Sequence, residues 1–384
     1  MLPASNKAPF ESKAKRAFNE LFNQHDCLMV EMDILQSADP FLETAGEDLR
    51  RRMFITTGPA GEELCLRPDF TIPVCLHHLQ SNTDLPRRYG YMGPVFRQRD
   101  DGTGEFLQMG VEHLGRTEKP QIEDGDVMAI AVEACQMPAA SKDLILKLGD
   151  PSLFYGLLKS LNVPDGLRHR LIRAFGRGLT IAMLEKTLRQ DDSERLPLPK
   201  EFASLSGDKT ELAKAVASMM LEQGLSVHSG RSPEAIVERY LETYGPQDFG
   251  LDEAAKLHIL DVLSDYLRLE GQAQEMPDRL AAFEEKYSVS FGANLAAYSE
   301  RLAQFEQKSS TRSPDRFVFS SSFARPLDYY TGFVFELYCD GATSPVAGGG
   351  RYDRLMEILG ADFAVPAVGF SLWLDRLPAW GEAQ

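Results

Sequence analysis

Two stretches far apart in the chain, residues 50–115 and 314–377, share a texture that the residues between them lack. Both are rich in glycine, proline, aromatic and β-branched residues. They break into strand-sized pieces: RRMFIT, LCLRP, RYGYMGPVFRQR and FLQMGVEHLG in the first, GFVFELYC and AVGFSLWL in the second. From about 154 to 313 the pattern is helical. In DEAAKLHILDVLSDYLRLEG the residues Leu260, Leu263 and Leu267 fall on one stripe, and SPEAIVERYLETYG offers Ser232 as N-cap, Pro233 at the first helical position and Gly245 at its close. A sheet drawn from both ends of a chain must close over whatever lies between. The expected fold class is therefore α+β: an antiparallel sheet flanked by helices, with core parts 1–153 and 314–384 and a helical domain inserted over 154–313.

Charge narrows the function classes. The 384 residues carry 41 Lys and Arg against 57 Asp and Glu, a net charge of −16, so the surface repels polyanions on average. The basic segment GLRHRLIRAFGRG, with Arg168, Arg170, Arg173 and Arg177, reads as a solvated helix face or a protein contact rather than a nucleic-acid site. No apolar run reaches the roughly 20 residues of a membrane span, and the opening segment lacks the apolar centre of a signal peptide. A cytoplasmic protein without membrane contact is expected. The cysteines Cys27, Cys65, Cys75, Cys135 and Cys339 are scattered and form no metal-ligand spacing, so reduced, mostly buried thiols and no metal are expected.

Four segments of the sheet-forming parts carry polar groups that a core would not choose. LCLRPDFTIPV supplies Arg67, Asp69 and Thr71; GYMGPVFRQRDDGTGEFLQMGVE supplies Arg97, Gln108 and Glu112; FARPLDYYTG supplies Arg325, Tyr329 and Tyr330; VAGGGRYDRL supplies Arg351 and Asp353. Gln108 and Glu112 have even spacing and share a face if their segment is a strand, as would Asp69 and Thr71. Carboxylates with a hydroxyl suit an ammonium group, and an arginine suits a carboxylate. Those two needs describe a free amino acid. A further glutamate and tyrosine hydroxyl could hold the two nitrogens of an imidazole.

The ordered motifs LRPDFT, GPVFRQR with EFLQMGVE, RPLDYYTG, GGGRYD and PAVGFSLWLDRL resemble the catalytic domain of class II histidyl-tRNA synthetases over nearly the whole chain. The resemblance implies a histidine pocket. In it Arg325 meets the carboxylate, Tyr330 and Glu112 the imidazole, and Asp69, Thr71 and Gln108 the α-amino group, with Tyr329 beside them.

Departures from that family bear on ATP. Its second motif reads FRxE, with the glutamate meeting adenine; here FRQR places Arg99 there. The following loop offers Asp100, Asp101 and Glu105, which repel triphosphate, and Trp373 stands where the family favours glycine. The third motif keeps Arg376, and the sequence ends soon after it, at Gln384, so no anticodon-binding domain and no tRNA partner are expected. A histidine site kept while ATP contacts are lost is similar to the ATP phosphoribosyltransferase regulatory subunits. That resemblance implies a non-catalytic protein without cofactor, which activates a short-form catalytic subunit and mediates feedback inhibition by L-histidine. It also implies a homodimer within a hetero-oligomer, an octamer by family resemblance. Two other readings have distinct requirements: a histidine-activating enzyme needs adenine and triphosphate contacts, and a tRNA-sensing module needs a basic surface.

Overall fold

The computed structural model describes residues 4–44, 47–81, 86–99, 104–137, 143–189, 209–223, 232–234, 236–237, 249–309, 314–325 and 329–377. Asp100, Asp101, Pro326, Asp328 and most of the helix expected over 232–245 lie outside them.

Among the described residues, twelve strands form two sheets. The small sheet has the order β2 (Leu35–Ser37), β4 (Glu63–Leu66), β3 (Ile55–Thr57). The large sheet has nine strands: β1 (Leu28–Met29), β5 (Arg87–Phe96), β6 (Glu105–Leu114), β12 (Ala367–Trp373), β11 (Ala347–Arg351), β10 (Val334–Cys339), β7 (Leu144–Gly149), β9 (Arg316–Ser320) and β8 (Glu270–Gln272), in that order. Its centre, β5 through β7, is antiparallel as expected. The junctions β1–β5 and β7–β9 are parallel, so the whole sheet is mixed.

Contacts divide the chain into two units, one of residues 1–160 with 268–384 and the other of 161–267. The expected insertion over 154–313 is thus larger than the separate unit. Residues 270–272 form the edge strand β8 on β9, and the helix Ala293–Lys308 packs on the helix Pro120–Gln136 behind the sheet. Periodicity identifies these helices without saying what their apolar stripe meets. Within the second unit, the arginine-rich segment is the helix Asp165–Gly176, which buries Leu167, Leu171 and Phe175 and pairs Arg168 with Asp165. In the helix Glu253–Leu267 the buried stripe is Ile259, Val262, Leu263 and Tyr266; of the expected leucines Leu263 is buried, while Leu260 and Leu267 are half-buried.

Two short expectations shift in register. RRMF ends a helical turn, Glu47–Arg52, before β3 begins at Ile55. Asp69 and Thr71 lie on no strand, because Thr71 opens the helix Thr71–Gln80 and Asp69 Oδ1 accepts the Ile72 N–H at 3.4 Å. All five cysteines are buried. Among the described residues no helix is long and apolar enough to cross a membrane, and no cluster of three metal-ligating side chains occurs.

The two faces of the large sheet differ. Met109 and Val111 of β6 are fully buried on the face opposite Gln108 and Glu112. Register places Tyr91 and Gly93 of β5, Gln108, Gly110 and Glu112 of β6, Gly369, Ser371 and Trp373 of β12, and Gly348 and Gly350 of β11 on the other face. A chain of buried charges ties the helices to the sheet ends. Arg301 donates to Asp124 at 2.9 Å and to Asp150 at 2.7 Å, while Arg351 donates to Asp124 at 2.8 Å and to Asp353 at 2.8 Å. Arg351 and Asp353 therefore serve the scaffold.

Candidate ligand-binding site

All seven expected residues, Asp69, Thr71, Gln108, Glu112, Arg325, Tyr329 and Tyr330, line one pocket on the open face, together with Arg97, Gly348, Tyr352, Gly369, Ser371 and Trp373. The strand period of two delivers Gln108 and Glu112 to this face. The turn into the helix Thr71–Gln80 carries Asp69 and Thr71 over it.

At its floor Glu112 is only 1% exposed. Its Oε1 accepts from the Thr71 hydroxyl at 2.8 Å and the Tyr91 hydroxyl at 3.1 Å, and Oε2 accepts from the Tyr352 hydroxyl. Gly369 makes the room: a Cβ there would collide with Oε2 of Glu112. The Thr71 hydroxyl gives its proton to Glu112, which leaves its oxygen lone pairs as acceptors for an ammonium group. Tyr91 and Tyr352 escaped the sequence reading. Tyr352 sits inside GGGRYD, between the two charged residues that were singled out.

Burial pushes the Glu112 carboxyl up from 4.5 to about 7, against the pull of the Tyr352, Thr71 and Tyr91 hydroxyls. A carboxyl raised on folding favours the folded state while protonated. That contribution is full below about pH 4.5 and is lost as pH rises through about 7. Between about pH 5 and pH 8 the wild type should therefore lose roughly 2–3 kcal/mol of unfolding free energy from this group. Urea unfolding at the two pH values checks this. Glu112→Gln should flatten the difference by that amount, and an unchanged difference would assign the dependence to other groups.

Arg325 lies across Gly348, where a Cβ would come within 2.7 Å of its Nη1. Nη1 donates to the Tyr330 hydroxyl at 3.0 Å, and Nε lies 3.5 Å from Glu336. Burial works against its charge, but Tyr330, Glu336 and Tyr329 more than offset this and hold its pKa above the usual arginine value. Tyr329 and Tyr330 pack with ring centroids 4.9 Å apart, and both rings meet Tyr352. Burial raises the pKa of Asp69 while Arg97 lowers it; Arg97 itself is lowered by burial to about 10, partly offset by Asp69. The Gln108 side chain donates to Ser371 at 2.6 Å and keeps a buried carbonyl oxygen without a donor.

The neighbouring ground is filled by protein. The Arg99 guanidinium stacks 3.3 Å over the Phe106 ring and pairs with Asp375, while Arg376 lies 4.7 Å over the Trp373 ring and donates to the Pro345 carbonyl. A planar base would have to displace the first pair to reach Phe106. The arrangement could hold a small zwitterion; among the described lining residues no nucleophile is set against a base.

The histidyl-tRNA synthetase family matches residues 2–238 and 247–377. An ATP phosphoribosyltransferase regulatory subunit of a Chelativorans species is 40% identical over 93% of this chain and 94% of its own length. Its counterpart in Brucella canis is 40% identical over 97% and 99%. The chain belongs to the ATP phosphoribosyltransferase regulatory subunit family. Solved structures agree on the fold. A protein described as ATP phosphoribosyltransferase regulatory subunit/histidyl-tRNA synthetase from Bacillus halodurans C has a TM-score of 0.68 at 19% identity, covering 98% of this chain and 79% of its own. A histidine–tRNA ligase subunit from Alicyclobacillus acidocaldarius has a TM-score of 0.56 at 22% identity, covering 98% and 94%. The class II synthetase-like core read from the motifs is thereby shown.

Proposed function

We propose that the chain is the non-catalytic regulatory partner of a short-form ATP phosphoribosyltransferase, acting in the cytoplasm on the first step of histidine biosynthesis. It raises the turnover of the catalytic subunit and carries the feedback site for L-histidine. The observation that carries this is the pocket itself: Glu112 for the ring, Asp69 and the Gln108 oxygen for the ammonium group, and Arg325 with Tyr330 beyond them. Relatives that bear the regulatory-subunit name support the partner, and the Arg99–Phe106 stack supports a role without ATP chemistry. Histidine can shift such a complex only through unequal affinity for its active and inactive forms.

Assembly is supported by apolar side chains left exposed in the segment before the helix Glu47–Arg52: Leu28 on β1, Leu35 on β2 and Ile34 just before β2 are 48%, 49% and 44% exposed. A two-fold dimer through this segment would give a symmetric partner paired docking sites, consistent with a hetero-octamer.

The test mixes the purified chain with a short-form catalytic subunit. Phosphoribosyl transfer should rise several-fold in the mixture and fall again on adding L-histidine, while light scattering shows a particle larger than either component. Alone, the chain should neither transfer phosphoribosyl nor exchange pyrophosphate into ATP with histidine. Unchanged turnover in the mixture, or aminoacylation by the chain alone, refutes the reading.

A further inference from the structure

We infer that Trp373 donates its indole N–H to the carboxylate of the free amino acid in this pocket, beside the Gln108 oxygen that accepts from the ammonium group. The inference rests on the histidine reading above and adds a specificity residue to it.

Two buried polar atoms on this wall lack partners. Trp373 is 7% and Gln108 1% exposed, yet the indole Nε1 has no acceptor and the Gln108 Oε1 no donor. They are cross-strand partners in the β6–β12 register, so both side chains stand on the same face, and both line the cavity. An unpaired donor and an unpaired acceptor side by side cost free energy in an empty site. A zwitterion satisfies both at once, with its ammonium on the Gln108 oxygen and its carboxylate on the indole.

Neighbouring residues fix the geometry. Arg376, itself held by the Pro345 carbonyl, lies 4.7 Å over the indole face and sets the plane of the ring. Gly348, on which the Arg325 guanidinium rests, pairs in register with Ser371, two residues from Trp373 along β12 and on the same face. A carboxylate between them meets a guanidinium on one side and an indole N–H on the other. A phenylalanine would keep an aromatic wall under Arg376 without the nitrogen, which the packing leaves with no acceptor.

Isothermal titration of the full-length protein with L-histidine and with histidinol, which carries an alcohol in place of the carboxylate, tests this. Trp373→Phe should weaken L-histidine about 10- to 100-fold and histidinol little. Equal affinity of wild type and variant for L-histidine overturns the inference, as does an equal loss for both ligands, which would mean ring packing alone. The wild type supplies a second readout if the variant does not fold. Its two tryptophan indole N–H resonances can be followed in a nitrogen-15 spectrum. One should move downfield with L-histidine and stay with histidinol, and no movement overturns the inference. Absence of histidine binding by the wild type would instead overturn the functional reading and take this one with it.

Discussion

Replacing Arg301 by alanine should cost about 3–5 kcal/mol of folding stability, the largest effect expected of any single substitution in the protein. Its guanidinium is 5% exposed and joins Asp124 on the helix Pro120–Gln136 to Asp150, just beyond β7, with Phe333 packed 4.4 Å beneath it. Burial opposes its charge, and Asp150 and Asp124 more than compensate, so the pKa is held above the usual arginine value. Truncation leaves Asp150 buried without its cation and Asp124 with Arg351 alone. Arg301→Met keeps much of the volume and should be nearly as damaging, because the carboxylates lose the same charge. Urea unfolding measures both variants. A loss below about 1 kcal/mol would mean that the network behaves like an exposed ion pair.

Arg325→Ala should lower affinity for L-histidine by about 2–5 kcal/mol while the variant still stimulates the catalytic subunit. The fold should tolerate the change, because the remaining partners are served elsewhere: Glu336 keeps the Tyr338 hydroxyl at 2.6 Å, and Tyr330 stays packed on Tyr329. The ligand loses its guanidinium, and with it the response to histidine. Tyr330→Phe removes one hydrogen bond, for about 0.5–1.5 kcal/mol, and should blunt feedback less. Titration calorimetry and the coupled assay read the two effects separately. If wild type and Arg325→Ala bind histidine equally, the effector site lies elsewhere.

Much of the site was legible because it obeys local rules. Gln108 and Glu112 could be placed on one face from a period of two, and Arg325 and Tyr330 from a single segment. What escaped depends on register between distant strands. Tyr91 and Tyr352 reach Glu112 only because β5 and β12 flank β6 and because Tyr352 follows β11, and nothing local announces that. The same limit explains Arg351 and Asp353, which read as pocket residues until Asp124, Asp150 and Arg301 are brought together from separate elements. Asp69 and Thr71 were assigned the right neighbourhood for the wrong reason: a helix start, not a strand, aims them. The helices after 268 were assigned to the insertion because an apolar stripe does not name the surface it will cover.

The place of β12 between β6 and β11 has a consequence for how the protein is made. During synthesis β6 leaves the ribosome with one edge open, and the strand that fills it emerges roughly 250 residues later. At ordinary elongation speeds the delay is on the order of ten to fifty seconds. Throughout it, the nascent chain has an unsatisfied strand edge that invites pairing with other chains. Gly369, Ser371 and Trp373 arrive together on that final strand, so no truncated product can assemble the pocket. A ligand of that pocket can then engage only chains whose synthesis has run through β12, and incomplete ones are invisible to it.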